Sequence, residues 1–292
     1  MLRLRSLLMA AALVCAGNAC AQDGSSETAA KAFVSSLKLQ SGTVAVPAAH
    51  ATLHLTPDYR FLGAADAQRV LTSWGNPPDD DVLGMLLPGG EKALTDENAW
   101  AVILTHVDEG HVSDAEAAST DYDKMLKEMQ ESTHDANDER EKAGYGRVDL
   151  IGWATKPHYD QSSNKIYWAK ELKFADSTSN TLNYDIRVLG RSGYLSLNAV
   201  APMSVLPTVE TGMQNVLAMT EFDTGSRYAD FNPSTDKVAA YGLAALVGGA
   251  IAAKAGLFAK LFAMLLAAKK LIGIAIVGGA AAIGKFFKRG KG

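Results

Sequence analysis

The chain has 292 residues, of which 48% are hydrophobic, and its formal net charge is −4. The charge is unevenly distributed, because all 32 acidic residues but only 17 of the 28 basic residues lie between positions 22 and 236, where the net charge is −15. A domain of this charge repels phosphate backbones, which argues against nucleic acid as a partner.

The first 21 residues have the pattern of a secretory signal peptide. Two arginines precede an apolar stretch from Leu7 to Gly17, and small residues lead up to a cleavage site after Ala21. Lipidation at Cys20 is the alternative for this segment. Cleavage after Ala21 removes both cysteines, so the mature chain is expected to have no disulfide, thiolate zinc site or cysteine nucleophile.

Residues 22–236 are predicted to form one acidic extracytoplasmic α+β domain. Residues 42–63 alternate as strands, with Ala51, Leu53 and Leu55 on one face. The segment AADAQRVLTSWGN that follows is typical of a short helix. The near-continuous apolar segments DVLGMLLP and AWAVILTHV then predict two buried strands.

A cluster of ionisable side chains lies at the end of the second buried strand. The segment THVDEGH contains His106, Asp108, Glu109 and His111, and the first two would share one face of an extended chain. This cluster is the best candidate for metal ligands or for acid–base chemistry. Because the mature chain lacks cysteine and has one such cluster, a hydrogen-bonded network at a strand end is favoured, and neither a metal nor another cofactor is expected.

A long polar helix is predicted to begin at Ser113 or Asp114 and to run to about Lys142. The glycines of the segment Gly144–Gly146 end it. Its buried residues, at steps of three and four, are Tyr122, Met125, Leu126 and Met129.

Residues 148–201 are predicted to form a meander of four antiparallel strands, covered by a helix over about 207–219. In KIYWAKELKF, alternation with period two places Ile166, Trp168 and Leu172 on one face, so Trp168 is expected in the core. In TLNYDIRVLG, the apolar face consists of Leu182, Tyr184, Ile186 and Val188.

The connection between the first two strands of the meander is the other candidate site. Residues 157–164 are rich in turn-forming side chains, and the strand pattern leaves His158, Tyr159, Asp160 and the outward-facing Tyr167 unexplained. These four residues form a candidate recognition surface. No catalytic residue is assigned, because the ionisable side chains follow the strand periodicity and do not converge from distant segments.

Residues 237–292 form a basic, apolar tail. No acidic residue follows Asp236, whereas nine basic residues do, and such a tail suits anionic lipid headgroups. The stretch from Val238 to Ala259 has the length of a membrane-spanning helix. A second apolar stretch, Leu271 to Gly284, is short for a span, so two crossings are the alternative to one crossing followed by a cationic interfacial helix. A single crossing keeps the later basic residues in the cytoplasm and is favoured.

Three small residues, Ala245, Gly249 and Ala253, recur at four-residue intervals in the predicted span. This spacing lets a second helix approach closely and would permit a homo-oligomer. Small residues are also common in membrane helices, and this simpler interpretation is favoured.

Several segments resemble a known bacterial family. They are NDEREKAGY, the stretch GWATKPHYDQSSNKIYWAKELKF with LNYDIRVLGRSGYLSLN after it, and GSRYADFNPSTDKVAAYG. They are similar to the domain of unknown function 2167 family, described as membrane-anchored proteins. The resemblance implies an envelope protein and brings no assigned activity, so no catalytic residue is carried over. The order of helix, meander and covering helix is also similar, more remotely, to small α+β domains of the PsbP and Mog1 type, which are assembly and binding modules.

The expected fold class is therefore α+β, with an antiparallel meander, packed helices and one or more C-terminal membrane helices. The expected function is a non-catalytic binding, scaffold or membrane-state-sensing domain. It is held at the inner membrane by its tail and exposed to the periplasm, with lipid and an envelope protein as partners. The alternative is a cell-wall or glycan-binding module, or an envelope hydrolase, that acts through the 158–160 loop.

Overall fold

The fold is built on antiparallel strands in the computed structural model, which describes residues 30–248 except 75, 77, 95, 97, 98, 143–145 and 176. The strands are β1 (Leu39–Gln40), β2 (Thr43–Val46), β3 (Ala51–His54), β4 (Tyr59–Gly63), β5 (Val82–Pro88), β6 (Ala101–Val107), β7 (His111–Ser113), β8 (Val148–Asp160), β9 (Lys165–Phe174), β10 (Thr181–Leu189), β11 (Tyr194–Pro202), β12 (Thr220–Phe222) and β13 (Val238–Gly242). Residues 30–35 are helical. The helices that follow are α1 (Ala64–Ser73), α2 (Tyr122–Asp135), α3 (Asn137–Lys142), α4 (Leu206–Met219) and α5 (Leu243–Gly248).

Eight strands form one antiparallel sheet in the order β1, β4, β5, β6, β11, β10, β9, β8. A second sheet has the order β12, β3, β2, and β13 pairs with β7 in parallel. Strand β10 lies in the interior of the large sheet, in register with β9 on one side and β11 on the other. The predicted α+β class with an antiparallel meander is confirmed, and β8 to β11 are the meander.

The two faces of the large sheet pack against different elements, because successive side chains of a strand point to opposite sides. We call the face against α4 and the three-stranded sheet the front face. The predicted apolar face of β10 is confirmed here, since it packs in one core with α4. The residues of β10 and α4 in this core are Leu182, Tyr184, Ile186, Val188, Val209, Met213, Val216 and Met219.

The opposite face of the large sheet, the back face, packs against α1 near β4 and β5 and against α2 near β8. Leu126 and Met129 of α2 pack on the core formed by β8 and β9. Tyr122 and Met125 pack on the core that contains Trp168. The predicted stripe therefore packs on the sheet with half-buried side chains, and the core position of Trp168 is confirmed.

The long helix predicted from residue 113 or 114 is wrong at its start and in its continuity. Strand β7 occupies His111–Ser113, and α2 begins only at Tyr122. The helix begins there because the Asp121 side chain accepts hydrogen bonds from the backbone amides two and three residues later. The chain then breaks at Ala136, before α3. The apolar spacing of this polar stretch reveals neither the start of the helix at Tyr122 nor its interruption at Ala136.

The connection predicted at 157–164 is shorter in the structure. Strand β8 continues to Asp160, and the turn occupies residues 161–164. The turn predicted at Ser192 and Gly193 joins β10 to β11. A Cβ at Gly193 would clash with the carbonyl of Val107, so close backbone approach requires glycine there.

The prediction of a membrane helix from Val238 to Ala259 is wrong for its first residues. Residues Val238–Gly242 form β13, which pairs with β7 of the domain, and α5 follows directly. Leu243, Leu246 and Val247 are buried in the same core as Trp168. The packed domain therefore extends to residue 248, past the boundary predicted at 236, because these apolar side chains cover part of the back face.

Among the described residues, no helix combines the length and the apolar character needed to cross a membrane. The predicted signal peptide and the remainder of the predicted spans lie outside the described residues. Of the three small residues in the first span, Ala245 lies half-buried in α5. Gly249 and Ala253 lie outside the described residues.

Candidate functional site

A row of polar side chains is buried at the centre of the back face. Because the apolar residues of β10 point to the front face, the alternate residues of this strand point to the back face. These are Thr181, Asn183, Asp185 and Arg187, which we call the polar row, and each is at most 2% exposed. Every residue of β10 is buried, so the polar row lies inside the protein.

Asp185 is the centre of an ionic group on the polar row. Asn198, its registered partner on β11, donates from Nδ2 to Asp185 Oδ1 over 2.9 Å. Arg187 Nη1 lies 3.1 Å from the same oxygen, and Lys170 Nζ lies 3.4 Å from Oδ2. Two cations thus share one buried carboxylate, which gives the group one net positive charge.

The protein keeps the Asp185 carboxyl ionised. Burial by itself raises its pKa, but the charges of Lys170 and Arg187 and the hydrogen bond from Asn198 outweigh burial, and the pKa lies below its ordinary value. A carboxylate that is ionised and engaged on both oxygens positions its neighbours. It is poorly suited to exchange a proton near neutral pH.

Several polar atoms on this part of the back face have no hydrogen-bond partner among the described residues. They are both ends of the Asn183 amide, the Thr181 hydroxyl, Arg187 Nε and the indole N–H of Trp168, which is registered opposite Asp185 on β9. A buried polar atom without a partner costs about 1–3 kcal/mol, and native folds contain few of them. Their concentration on two paired strands indicates a place where water or a polar ligand completes the hydrogen bonds.

The apolar alternation of TLNYDIRVLG, on which the prediction of β10 rests, does not reveal the polar row. The signal lay on the alternate positions, where Asn183, Asp185 and Arg187 share a face of a strand that is interior to the meander. Ser196 and Asn198 repeat this polar pattern at registered positions of β11. In an antiparallel sheet such a face is commonly solvated, so the pattern identifies a polar face but does not predict that it is buried.

The structure separates the four residues of the predicted recognition surface. His158 and Tyr167 are registered partners on β8 and β9, with ring centroids 5.3 Å apart. Tyr167 also stacks on the buried Tyr184 of β10 with a centroid distance of 6.4 Å. His158 is exposed and Tyr167 is half-buried, so these two rings present an aromatic edge to solvent beside the front-face core.

Tyr159 and Asp160 instead make hydrogen bonds within the fold. The Tyr159 hydroxyl donates to Asp114 Oδ2 over 2.8 Å, and burial, together with that carboxylate, raises the pKa of the hydroxyl. Asp160 accepts hydrogen bonds from Ser163 and Ser162 in the turn, which lower its pKa to about 2. Both side chains are therefore engaged in holding the hairpin and its contact with the back face.

The four residues of the predicted cluster at the end of β6 do not converge on one point. The ring of His106 contacts Phe222 edge-on at the front face, with centroids 6.2 Å apart, and burial lowers the pKa of this histidine. Asp108 is exposed. Glu109 accepts a hydrogen bond over 2.8 Å from the hydroxyl of Tyr241 on β13, which ties the segment to the end of the domain.

His111, the last member of the cluster, lies between two aromatic rings. Its ring centroid is 4.2 Å from that of Tyr228 and 3.9 Å from that of Phe231, and both pairs are stacked. Burial lowers the pKa of the imidazole. Within the described part of the chain, no three His, Cys, Asp or Glu side chains are placed to share a metal ion.

Solved structures with a similar chain path include one from a cyanobacterium and one from a yeast. The solution structure of cyanobacterial PsbP from Synechocystis sp. PCC 6803 is 10% identical, with a TM-score of 0.36, and the match covers 64% of this chain and 93% of that chain. The crystal structure of the Ran-binding protein Mog1p from Saccharomyces cerevisiae is 10% identical, with a TM-score of 0.36, over 65% of this chain and 98% of that chain. No curated protein matches this chain.

The family comparison covers most of the chain. The sequence pattern described as "Protein of unknown function (DUF2167)" matches residues 38–280. This range contains all thirteen strands of the described domain and continues into the basic tail. The chain therefore belongs to the DUF2167 family, as the resemblance of the segments quoted from its sequence predicted.

Proposed function

We propose that the protein is a non-catalytic binding domain of the bacterial envelope, exported by a signal peptide and anchored at the inner membrane by residues 249–292. The contacts of the Asp185 carboxylate are the observation that supports a non-catalytic role. Lys170, Arg187 and Asn198 all engage its carboxylate and keep its pKa low. A buried site whose only carboxylate is held ionised and whose Asn183 amide has no partner among the described residues is suited to recognition, whereas acid–base catalysis needs a group that exchanges protons near the working pH.

The edge formed by His158 and Tyr167 is the surface that we assign to partner recognition. An exposed imidazole beside a half-buried phenol offers both stacking area and hydrogen-bond capacity, as the aromatic anchors of protein interfaces do. The neighbouring Thr155 hydroxyl donates to Glu210 Oε1 of α4 over 3.1 Å. This bond fixes the edge strand β8 to the covering helix, so the surface is preorganised for binding.

The charge distribution supports the proposed placement at a membrane. Eight basic residues and no acidic residue follow position 248, whereas the stretch 22–236 carries a net charge of −15. Anionic headgroups attract the tail and repel the domain. The domain would therefore stand away from the bilayer surface with its recognition edge accessible to a partner in the periplasm.

A glycan is the alternative ligand for the same edge, because the His158–Tyr167 ring pair offers apolar stacking faces. Hydrolysis by residues 158–160 is not part of this alternative. The Tyr159 hydroxyl is hydrogen-bonded to Asp114, and the Asp160 carboxylate is hydrogen-bonded to the serines of the turn, so neither group is free to act on a substrate.

Photo-cross-linking in living cells tests the recognition edge. The photoreactive amino acid p-benzoylphenylalanine replaces Tyr167 in the full chain. A matched position on the other side of β8, Lys156, serves as control, because its side chain pairs with Asp123 of α2 on the back face. We expect a discrete envelope protein to be cross-linked from position 167 and not from position 156.

The outcomes distinguish the two ligands and the absence of both. A heterogeneous adduct that cell-wall-degrading enzymes collapse would favour the glycan alternative. Identical cross-linking from positions 167 and 156, or none from position 167 in a folded protein, would contradict the assignment of this edge.

A further inference from the structure

The Asn183 end of the polar row has properties that the ionic group around Asp185 does not explain. Asn183 is 0% exposed, and neither the nitrogen nor the oxygen of its amide has a hydrogen-bond partner among the described residues. Asn198, on the same face one strand away, uses its amide nitrogen to hold Asp185. The two asparagines therefore differ, because Asn183 keeps a free donor and a free acceptor side by side.

Two further side chains adjoin Asn183 on the back face. Lys170 is its registered partner on β9, so the two side chains are neighbours. Thr181 precedes Asn183 by two residues on β10, and its buried hydroxyl has no partner among the described residues. This end of the row thus combines a positive charge, a hydroxyl that donates or accepts, and the donor–acceptor pair of an amide.

Charge and access both favour an anionic group at this end. Lys170 and Arg187 share the single carboxylate of Asp185, which leaves one positive charge without a counter-ion in the group. The side chain of Lys170 is 18% exposed, and Val200, the registered neighbour of Asn183 on β11, is half-buried. The neighbours on both sides of Asn183 are therefore partly exposed, so the buried amide lies one side chain away from the surface.

We propose that Lys170, Thr181 and Asn183 form a binding site for a carboxylate that carries an N–H or O–H donor on the neighbouring atom. This chemistry occurs in N-acyl amino acids and α-hydroxy acids and at the carboxyl terminus of a peptide. The carboxylate accepts from Lys170 Nζ and Asn183 Nδ2, and the adjacent donor pairs with Asn183 Oδ1. The site lies on the back face, on the other side of the sheet from the His158–Tyr167 edge, and is independent of that edge.

Simpler ligands leave part of this site unsatisfied. A carboxylate without an adjacent donor leaves the Asn183 oxygen buried and unpaired. A neutral amide pairs with Asn183 but supplies no negative charge for Lys170. Only a group with both features makes a charge-assisted hydrogen bond and completes the amide.

Calorimetric titration of the full chain in detergent, with four probes, tests the ligand chemistry. N-acetylglycine and glycolate carry a carboxylate with an adjacent donor, acetate lacks the donor, and N-acetylglycinamide lacks the charge. We expect N-acetylglycine to bind at least about tenfold more tightly than either comparison probe, because acetate loses the hydrogen bond to Asn183 Oδ1 and N-acetylglycinamide loses the charge-assisted hydrogen bond to Lys170. An acetylated tripeptide with a free carboxyl terminus, compared with its amidated form, distinguishes a peptide terminus from a small acid.

Four variants separate a ligand-binding role of Asn183 from a structural one. Asn183→Leu removes the unpaired amide, so we expect an unchanged or higher Tm together with loss of N-acetylglycine binding. Asn198→Leu is the structural comparison, because it removes the bond to Asp185 and should lower the Tm. Tyr184→Phe on the same strand faces the front core and should leave binding unchanged. Thr181→Val provides a milder second test, with binding weakened and folding retained.

Two results would overturn the proposal. The first is that none of the probes binds to the folded protein. The second is that Asn183→Leu lowers the Tm as Asn198→Leu does while N-acetylglycine binds unchanged, which would make Asn183 a structural residue.

Discussion

The guanidinium of Arg187 lies 5.0 Å from the centroid of the Trp168 ring, across the pair of strands β10 and β9. The same guanidinium lies 5.8 Å from the ring of Tyr194. The back face thus places a charged residue between two aromatic side chains and next to the carboxylate of Asp185. A cation in such surroundings is stabilised by ring faces as well as by its counter-ion.

Replacing Trp168 by alanine should lower the free energy of unfolding by about 3–5 kcal/mol, the usual range for emptying a buried aromatic position. Trp168 is 1% exposed, and the change also removes one ring from Arg187. Urea denaturation of the purified protein measures the loss. His158→Ala, at an exposed position, is the control and should cost little. An unchanged stability for Trp168→Ala would contradict the core assignment.

Replacing Asp185 by leucine should lower the free energy of unfolding by about 3–5 kcal/mol, because it leaves Lys170 and Arg187 buried or half-buried without their shared counter-ion. Asp149→Leu removes the same charge from an exposed position of β8 and is the matched control. Chemical denaturation at neutral pH compares the two variants. Equal losses would mean that the ionic group contributes nothing beyond general charge.

The stability of the domain should fall as the pH decreases from about 7 to 5. Burial lowers the pKa of both His106 and His111 in the folded state, whereas an unfolded histidine titrates near 6.5. Below that value the unfolded chain binds more protons than the folded one, so acidification favours unfolding. His111→Phe keeps an aromatic ring between Tyr228 and Phe231 and should reduce this pH dependence. Denaturation curves at several pH values check the slope, and an identical slope in the variant would contradict the prediction.

Replacing Leu246 by alanine should lower the free energy of unfolding of the domain by about 2–5 kcal/mol, as for other buried leucines. Leu246 is 1% exposed and packs in the core that contains Trp168. Val238→Ala, at a position that is 55% exposed, is the control. If Leu246 belonged to a membrane helix separate from the domain, hydrogen exchange of β9 and β10 would not change in the variant.

A cysteine at the C-terminus should be protected from the periplasm if residues 249–292 anchor the chain as proposed. Eight basic residues follow position 248, and such residues favour the cytoplasmic side of a membrane. In the full chain with Gly292→Cys, an impermeant maleimide should label the cysteine only after spheroplasts are lysed. A second variant with cysteine at exposed Lys156 should be labelled in intact spheroplasts. Labelling of position 292 before lysis would place the C-terminus outside the cytoplasm.

Much of the fold was predictable from local patterns. The period-two alternation of KIYWAKELKF located β9 at its observed bounds and placed Trp168 in the core. The apolar spacing from Tyr122 to Met129 identified the half-buried stripe of α2 that packs on the sheet, although the helix begins later than predicted, after the Asp121 cap. Such patterns are local because side-chain direction repeats every two residues in a strand and every three to four in a helix.

The sequence by itself determined the class of fold, the meander, the family and the contrast between an acidic domain and a basic tail, since these follow from periodicity, composition and motif. Tertiary structure alone decided which faces are covered. Residues 238–248 have the composition of a membrane segment, yet they belong to the domain, because β13 pairs with β7 and the apolar side chains of α5 pack in the core around Trp168. Asn183, Asp185 and Arg187 have the spacing of a solvated strand face, yet they are buried because β10 lies between long strands with both faces covered. The periodicity of a strand shows which residues share a face, and only the packing of the other elements determines whether that face meets water or protein.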